Sequence, residues 1–447
     1  MLTRDGGPIA GPAVAHGASF AAATGVAVDV TQLPFDALYD QIMIGFVTGA
    51  TPADVLIFPA DWLPDFAPYL APMPEALGSS PLVQGVHPAY RDTLMRWAGR
   101  WVAMTLDGDL HMGAYRRDLF EDPGIRAEFH ARTGRDLAPP ASWSDYAEIA
   151  AFFSGRDGPQ GKLAGTLEAS ADGGQRLWYL FSHAAAYSAA SGRPEHLFFD
   201  PETMAPEIDN PAWQRALGDY LAAVASGIEV TGPLSSHGVR TAFAAGQGAM
   251  ALDWSDIGTF ATDPALSVVA DRVGFFALPG SDEVWSPATG AWQALDAVRS
   301  VPFLAFGGWI AAVPAAAAQP EAGWEYIAWM AVPQRAQTDV MSGASGFNPY
   351  RLSQLDPGAG WERVMGTRAA QDYLAVLRAS LGTDAAARDL RLPGYRAYMA
   401  ALDVQIGAAL AGQIGPAEAL AAAAAEWDQI TDRLGRAGQL RHYRAAM

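Results

Sequence analysis

Two pairs of carboxylates stand where apolar runs break into polar sequence. Asp107 and Asp109 flank Gly108 at the end of Trp101–Leu106, and Asp253 and Asp256 follow Gly248–Leu252. Such pairs admit three readings. They can be solvated loop acids, they can share general-acid and general-base work as in glycoside hydrolysis, or they can accept two sugar hydroxyls at once. No other catalytic signature assembles around them. At Gly161-Lys162 the first glycine of a phosphate-binding loop is replaced by Arg156, and the hydroxyl residue after the lysine by Leu163. Phe347 takes the closing glycine position of a nucleophile elbow at Gly343-Ala-Ser345-Gly346. The histidines are scattered, with no His-Glu-x-x-His pair on one helical face, and the chain has no cysteine. That excludes disulfides, thiol nucleophiles and thiolate metal sites. Neither a cofactor nor a metal is expected.

Aromatic residues recur at the same kind of junction. Of 14 tryptophans, Trp62, Trp254 and Trp309 sit beside polar or glycine breakpoints at strand ends. In open α/β sheets, ligands bind beyond the carboxyl ends of strands. A pyranose ring offers flat C–H faces to an indole and rim hydroxyls to Asp, Asn and Arg. Asp61-Trp62, Asp107/Asp109, Asp253-Trp254, Gly308-Trp309 and Asn348/Arg351 meet that mixed requirement in chain order.

The elements that must position these residues are legible from periodicity. Val26–Thr31 alternates as a strand; Phe35, Leu38, Ile42 and Phe46 repeat at helical spacing up to Gly49; Asp54–Phe58 is a buried strand. This strand–helix–strand unit predicts a parallel sheet covered by helices. Further strands are expected at Trp101–Leu106, Gly248–Leu252, Arg272–Leu278 and Phe303–Phe306. Helices are expected at Trp143–Phe153, Gln175–Tyr187 and Pro211–Val224, and a hairpin turns within Trp285–Trp292. From Pro320 onward the chain reads as mainly helical, including Ala417–Leu434.

With 447 residues, half of them apolar, the chain is long enough for two cores. No apolar run reaches the ~18 residues of a membrane span. A net charge of −19 disfavours nucleic acid and anionic membrane as partners. Met1-Leu-Thr-Arg-Asp-Gly6 has no basic, apolar or cleavage region of an export signal, so the chain is cytoplasmic or its signal has been removed or left out.

Over nearly its whole length the chain resembles the extracellular solute-binding proteins of carbohydrate ABC importers, the group that includes maltose-binding protein. The resemblance rests on Asp54–Pro59, Asp107–Phe120, Pro140–Tyr146, Ala244–Met250, Gly307–Pro314 and Gly346–Arg351, in that order and spacing. It implies an α/β fold of the type II periplasmic-binding-protein kind, with two lobes, a hinge, an interlobe cleft and extra C-terminal helices. Lobe I would comprise 1–109 and 274–308, and lobe II 110–273 and 309–447, with crossings near Asp107–His111, Arg272–Phe275 and Gly308–Ala312. The implied ligand contacts are Arg4, Asp5, Asp61, Trp62, Asp107, Asp109, Glu168, Trp178, Asp253, Trp254, Gly308, Trp309, Asn348 and Arg351.

The implied function is capture of a carbohydrate, without catalysis, and delivery to ABC permease subunits served by an ATPase. The protein would be a periplasmic monomer whose export signal, with the start of its first strand, lies outside this sequence. A hydrolase using Asp107 or Asp253 is the alternative. A third reading keeps the two lobes but binds a polyamine or metal chelate; the negative charge suits a cation, whereas the tryptophans favour a sugar.

Overall fold

The structure, a computed structural model, describes residues 1–173, 175–188 and 197–446. Two sheets organise it, and the polar breakpoints of the sequence lie between them.

The first sheet begins with β1 (Leu2–Arg4), β2 (Thr31–Leu33) and β3 (Leu56–Pro59), with β1 central and parallel to both others. Between them run α1 (Ala10–Thr24) and α2 (Phe35–Thr48). α2 stops where Gly49 takes φ 72°, a left-handed conformation that suits glycine. The first sheet is completed by β4 (Met104–Thr105), which is two strands removed from β3.

The second sheet is built on β5 (His111–Arg116), β6 (Ala164–Leu167), β7 (Gly248–Trp254) and β8 (Val273–Phe276) in the order β6-β7-β5-β8. All four strands are buried along their length, so side chains from both faces enter the core. The sheet is covered by α3 (Trp143–Phe153), α4 (Arg176–Ser188), α5 (Pro211–Thr231) and α6 (Ser236–Ala244). α3 opens with a reciprocal capping box between Ser142 and Asp145, and α5 with the Asn210 side chain accepting from the Ala212 and Trp213 N–H groups.

The chain then returns to the first sheet through β9 (Trp309–Ala312), inserted antiparallel between β3 and β4. α7 (Pro320–Met330) packs against α1. The remainder is helical: α8 (Thr367–Leu381) covers β8, while α9 (Tyr395–Leu410) and α10 (Pro416–Leu434) pack against each other and against α4 and α5.

Hydrogen bonding draws the lobes differently from the expected bounds. β8 pairs with β5 in the second sheet, and the 281–299 hairpin packs on α4, so these residues do not join the first lobe. β9 pairs with β3 and β4, so residues 309–312 do not join the second. The sheets are accordingly joined at residues 106–110 and 300–308, residues 341–350 run along the gap between the lobes, and the expected crossing at Arg272–Phe275 lies inside a sheet.

Three expected strands also differ. Val26–Val30 is not paired, because β1 offers partners only to Thr31–Leu33. Trp101–Leu106 is interrupted where the Val102 and Ala103 N–H groups both turn to the Met95 carbonyl. Phe303–Phe306 makes a single bridge, to Ala387; Ala305 at φ 44° bends it out of extended conformation.

Candidate ligand-binding cleft

A cavity of about 430 Å³ lies between the two sheets. Arg4, Phe35 and Trp309 line it from the first lobe, where the strands β1 and β9 and the start of α2 converge. Trp178, Arg240, Trp254 and Asp256 line it from the second, with Gln175 and the Ser235–His237 turn at the start of α6. Asp107, Asp109, Phe306 and Asn348 enter from the crossing segments.

The polar floor is organised by Asn348. Its backbone N–H donates to Asp107 Oδ1 at 2.5 Å, and its side-chain Nδ2 donates to Asp107 Oδ1 at 3.1 Å and to Asp109 Oδ1 at 2.8 Å. Its Oδ1 in turn accepts from the Ser255 hydroxyl at 2.7 Å and the Asp256 N–H at 2.6 Å. Asp107 also accepts from the Trp309 N–H at 3.3 Å. Burial pushes the Asp107 carboxyl up to about 6. Asp109 is held well above the carboxylate range by burial and then by the neighbouring charges of Asp107 and Asp256.

Arg240 supplies the countercharge on the second lobe. Its Nε lies 2.9 Å from Asp253 Oδ2, and its Nη1 pairs with Asp256. The Tyr179 hydroxyl donates to Asp253 Oδ1 at 3.0 Å. Burial nevertheless pushes Asp256 up to about 7.

Aromatic rings form the walls. Trp178 and Trp254 meet with centroids 5.8 Å apart, Phe306 stands 5.2 Å from Trp178 and 6.0 Å from Trp254, and Trp309 lies 6.3 Å from Phe306. The Arg4 guanidinium sits 5.8 Å from the Phe35 centroid and 5.7 Å from that of Trp309. Apolar ring faces with hydrogen-bonding groups at their edges suit a small polyhydroxylated solute.

Among the residues expected from sequence, the cavity brings together Arg4, Asp107, Asp109, Trp178, Trp254, Trp309 and Asn348. Gly308 lies directly behind it. At φ 118°, a Cβ there would stand 2.2 Å from the Asp107 carbonyl oxygen, which is why the crossing segments can touch. Asp61 and Trp62 line a separate cavity of about 260 Å³ that shares Phe35 and Trp178 with the first. Asp5 is exposed and lines neither cavity.

Three expected contacts are engaged elsewhere. Glu168 is enclosed beneath the second sheet, accepting from the Tyr146 hydroxyl at 2.8 Å with His183 Nε2 at 3.2 Å. Asp253 is sequestered by Arg240 and Tyr179. Arg351 points into the first lobe, where its Nη2 donates to the Leu82 carbonyl at 3.0 Å. Each is buried, and none lines the cavity.

Sequence reasoning missed Phe35, Gln175, Ser235, Ser236, His237, Arg240 and Phe306 as lining groups. Arg240 had a findable signal: the acidic pair Asp253/Asp256 needs a cation if buried, and Arg240 lies on the helix just before that strand. The serine–histidine turn carries no such mark.

The chain is 28% identical over 197 residues to the mannitol-binding protein of Pseudomonas aeruginosa, a match covering 43% of this chain and 39% of that protein. It is 23% identical over 351 residues to a probable amino-acid ABC transporter periplasmic-binding protein of Sinorhizobium fredii, covering 76% and 69% respectively. Among solved structures, an ABC transporter solute-binding protein of Agrobacterium radiobacter K84 in complex with ribitol superposes with a TM-score of 0.75 at 18% identity, covering 96% of this chain and 97% of that one. A maltose-bound T. maritima protein gives 0.73 at 17% identity, covering 96% and 98%. An Agrobacterium vitis S4 solute-binding protein with bound D-mannitol gives 0.71 at 19%, covering 97% and 98%. These likenesses establish the type II periplasmic-binding-protein fold that the resemblance implied. Among the described residues no helix is long and apolar enough to cross a membrane. Residues 3–337 match the model of the bacterial extracellular solute-binding proteins, and the chain belongs to that family.

Proposed function

We propose that the chain is the substrate-binding subunit of an ABC importer for a sugar or sugar alcohol. The observation that carries this reading is the interlobe cavity in which Trp178, Trp254, Phe306 and Trp309 surround the Asp107–Asn348–Asp109 cluster. Ring faces bury the C–H surface of such a solute, and the polar lining groups Arg4, Gln175, Ser235 and Ser236 are available to its hydroxyls. The ribitol, D-mannitol and maltose carried by the similar structures favour the same class. The crossing segments serve as the hinge on which the lobes close, and the closed shape is what a permease pair would read. In this reading the protein works as a periplasmic monomer, with an ATPase on the cytoplasmic side.

No catalysis is assigned. Asp253 is neutralised by Arg240, and Asp107 is occupied by Asn348 and the Trp309 N–H, which leaves neither placed as the hydrolase reading requires. Titration calorimetry of the purified chain with ribitol, D-mannitol, D-glucitol, D-glucose and maltose tests the proposal. The expected result is saturable binding of at least one compound with the solute recovered intact. Silence across the panel from a cooperatively folded chain, or release of product from maltose, would overturn it.

A further inference from the structure

Trp178 is the ring on which the aromatic wall of the cleft is assembled. Trp254 and Phe306 both pack against it, and it lines the cavity of about 260 Å³ as well as that of about 430 Å³. Its helix, α4, fixes where its Cβ stands. The last torsion of a tryptophan has a broad profile, so the plane of the ring is set by what the indole edge touches. That edge is held: Trp178 Nε1 donates to Asp389 Oδ2 at 2.6 Å. The same oxygen accepts from the Tyr395 hydroxyl at 2.7 Å, and Asp389 Oδ1 accepts from the Leu390 N–H at 2.7 Å. Asp389 is buried and lines neither cavity, so the Trp178 N–H is engaged away from the solute space and its ring carbons supply the wall. Trp254 differs: its Nε1 has no hydrogen-bond partner among the described residues, and the rings of Trp178, Tyr179 and His111 orient it.

Asp389 is itself fastened to several parts of the molecule. Two residues before it, Ala387 donates its N–H to the Pro302 carbonyl at 2.7 Å and accepts from the Leu304 N–H at 3.0 Å, both in a segment that joins the sheets. Just after it, Arg391 Nη1 donates to the Thr93 carbonyl, and the Gly394 N–H donates to Asp65 Oδ1 at 2.8 Å, both in the first lobe. α9, which begins at Tyr395, packs on α4 in the second. This stretch lies beyond residue 337, where the family match ends.

We infer that Asp389 is a positioning residue for solute recognition: it holds the Trp178 indole edge from a segment fastened to both lobes, and so sets the plane on which the solute packs. The inference rests on the reading of this cavity as the solute site. Without the bond the ring turns about its last torsion, the buried Nε1 loses its acceptor, and Trp254 and Phe306 lose the surface they pack on. A binding wall works only when its side chains are locked within ~10–20° by the groups behind them, and Asp389 is such a group. Its effect on affinity passes through Trp178, since it does not reach the cavity.

The test uses the full chain labelled with 15N, in which the Trp178 indole resonance is identified by its loss in W178F. In wild type this N–H is expected to exchange with water at least about tenfold more slowly than that of the half-buried Trp285. In D389L, which keeps the size of the side chain and removes the acceptor, the resonance is expected to shift and to exchange about tenfold or more faster. D389N keeps an oxygen there and is expected to hold both near wild type. Calorimetry with ribitol, D-mannitol, D-glucitol, D-glucose and maltose should follow the same order. Each compound the wild type binds is expected to weaken about tenfold or more in D389L and by less than about threefold in D389N.

A contribution to stability alone would leave the affinity of folded D389L unchanged, and that result overturns the inference. So does a wild-type Trp178 N–H that exchanges as fast as that of Trp285, which is read without any variant and stands even if D389L folds poorly. A D389N weakened as much as D389L while its indole resonance stays in place overturns it too. These outcomes leave the sugar-binding reading intact. Silence of wild type across the five compounds removes that reading and the inference with it.

Discussion

Asn348 grips Asp107 twice, through its backbone N–H at 2.5 Å and its side-chain amide at 3.1 Å, across 241 residues of sequence. The two residues belong to different segments between the lobes, so the bond ties the first passage between the sheets to the 341–350 segment that runs along the cleft. It also orients the amide so that Nδ2 reaches Asp109 while Oδ1 receives Ser255 and Asp256 from the second lobe. The polar floor of the cleft is thus built on segments that run between the lobes, so under the proposed function closure and recognition would share the same atoms.

Removing the cation that serves two buried acids should be severe. Arg240→Met leaves Asp253 and Asp256 uncompensated, with an expected loss of ~3–5 kcal/mol in urea unfolding at neutral pH. Adding Asp253→Asn and Asp256→Asn should recover most of it. A single variant as stable as wild type would show that water already reaches and screens these acids.

His111 makes stability depend on pH in a defined direction. Burial lowers its imidazole from 6.5 to about 3, with only Nδ1 bonded, 2.8 Å from the Ser182 hydroxyl. The unfolded chain then binds the extra proton between these values, so this contribution is fully present above about 6.5 and is lost as pH falls, by up to ~1.4 kcal/mol per unit. His111→Phe is therefore expected to lose less stability than wild type between pH ~7.5 and ~5.5, by about 1 kcal/mol, in paired urea titrations. Equal losses in the two proteins would place the imidazole in contact with solvent.

At Gly308 an added methyl has nowhere to go. Its φ of 118° excludes ordinary side chains, and the new carbon would stand 2.2 Å from the Asp107 carbonyl oxygen. Gly308→Ala should lower stability by ~2 kcal/mol or more and weaken solute binding by moving Asp107. Thermal unfolding and calorimetry read the two effects separately, and a variant unchanged in both would mean the crossing segments are free to separate.

Trp254 carries the aromatic wall of the second lobe, meeting Trp178, Phe306 and the edge of His111. Trp254→Ala should weaken binding of whichever panel compound the wild type takes by roughly tenfold or more. A variant that unfolds cooperatively yet binds as tightly as wild type would move the ligand away from this wall.

Local pattern alone determined much of this protein. The α2 periodicity of Phe35, Leu38, Ile42 and Phe46, the apolar run into Pro59, the capped start at Trp143 and the hairpin about Gly290 follow from interactions within a few residues, and each is where its sequence places it. The junction residues Asp107, Asp109, Trp254 and Trp309 were legible for a related reason: a change from apolar to polar at a strand end marks the rim of a sheet, wherever that sheet lies.

What only the tertiary structure decided is which sheet each late strand joins and which polar groups remain free. β8 and β9 are both short and apolar, and nothing local distinguishes the partner β5 of the one from the partner β3 of the other. Asp253 and Asp256 have the same side chain three residues apart, yet Arg240 and Tyr179 occupy both oxygens of the first while one buried oxygen of the second has no partner among the described residues. Arg4 and Arg351 carry the same side chain, and only packing puts one in the cleft and the other against the Leu82 carbonyl. Strand pairing and charge neutralisation join residues tens to hundreds of positions apart. Their outcome depends on which groups meet when the chain closes, and periodicity does not carry that information.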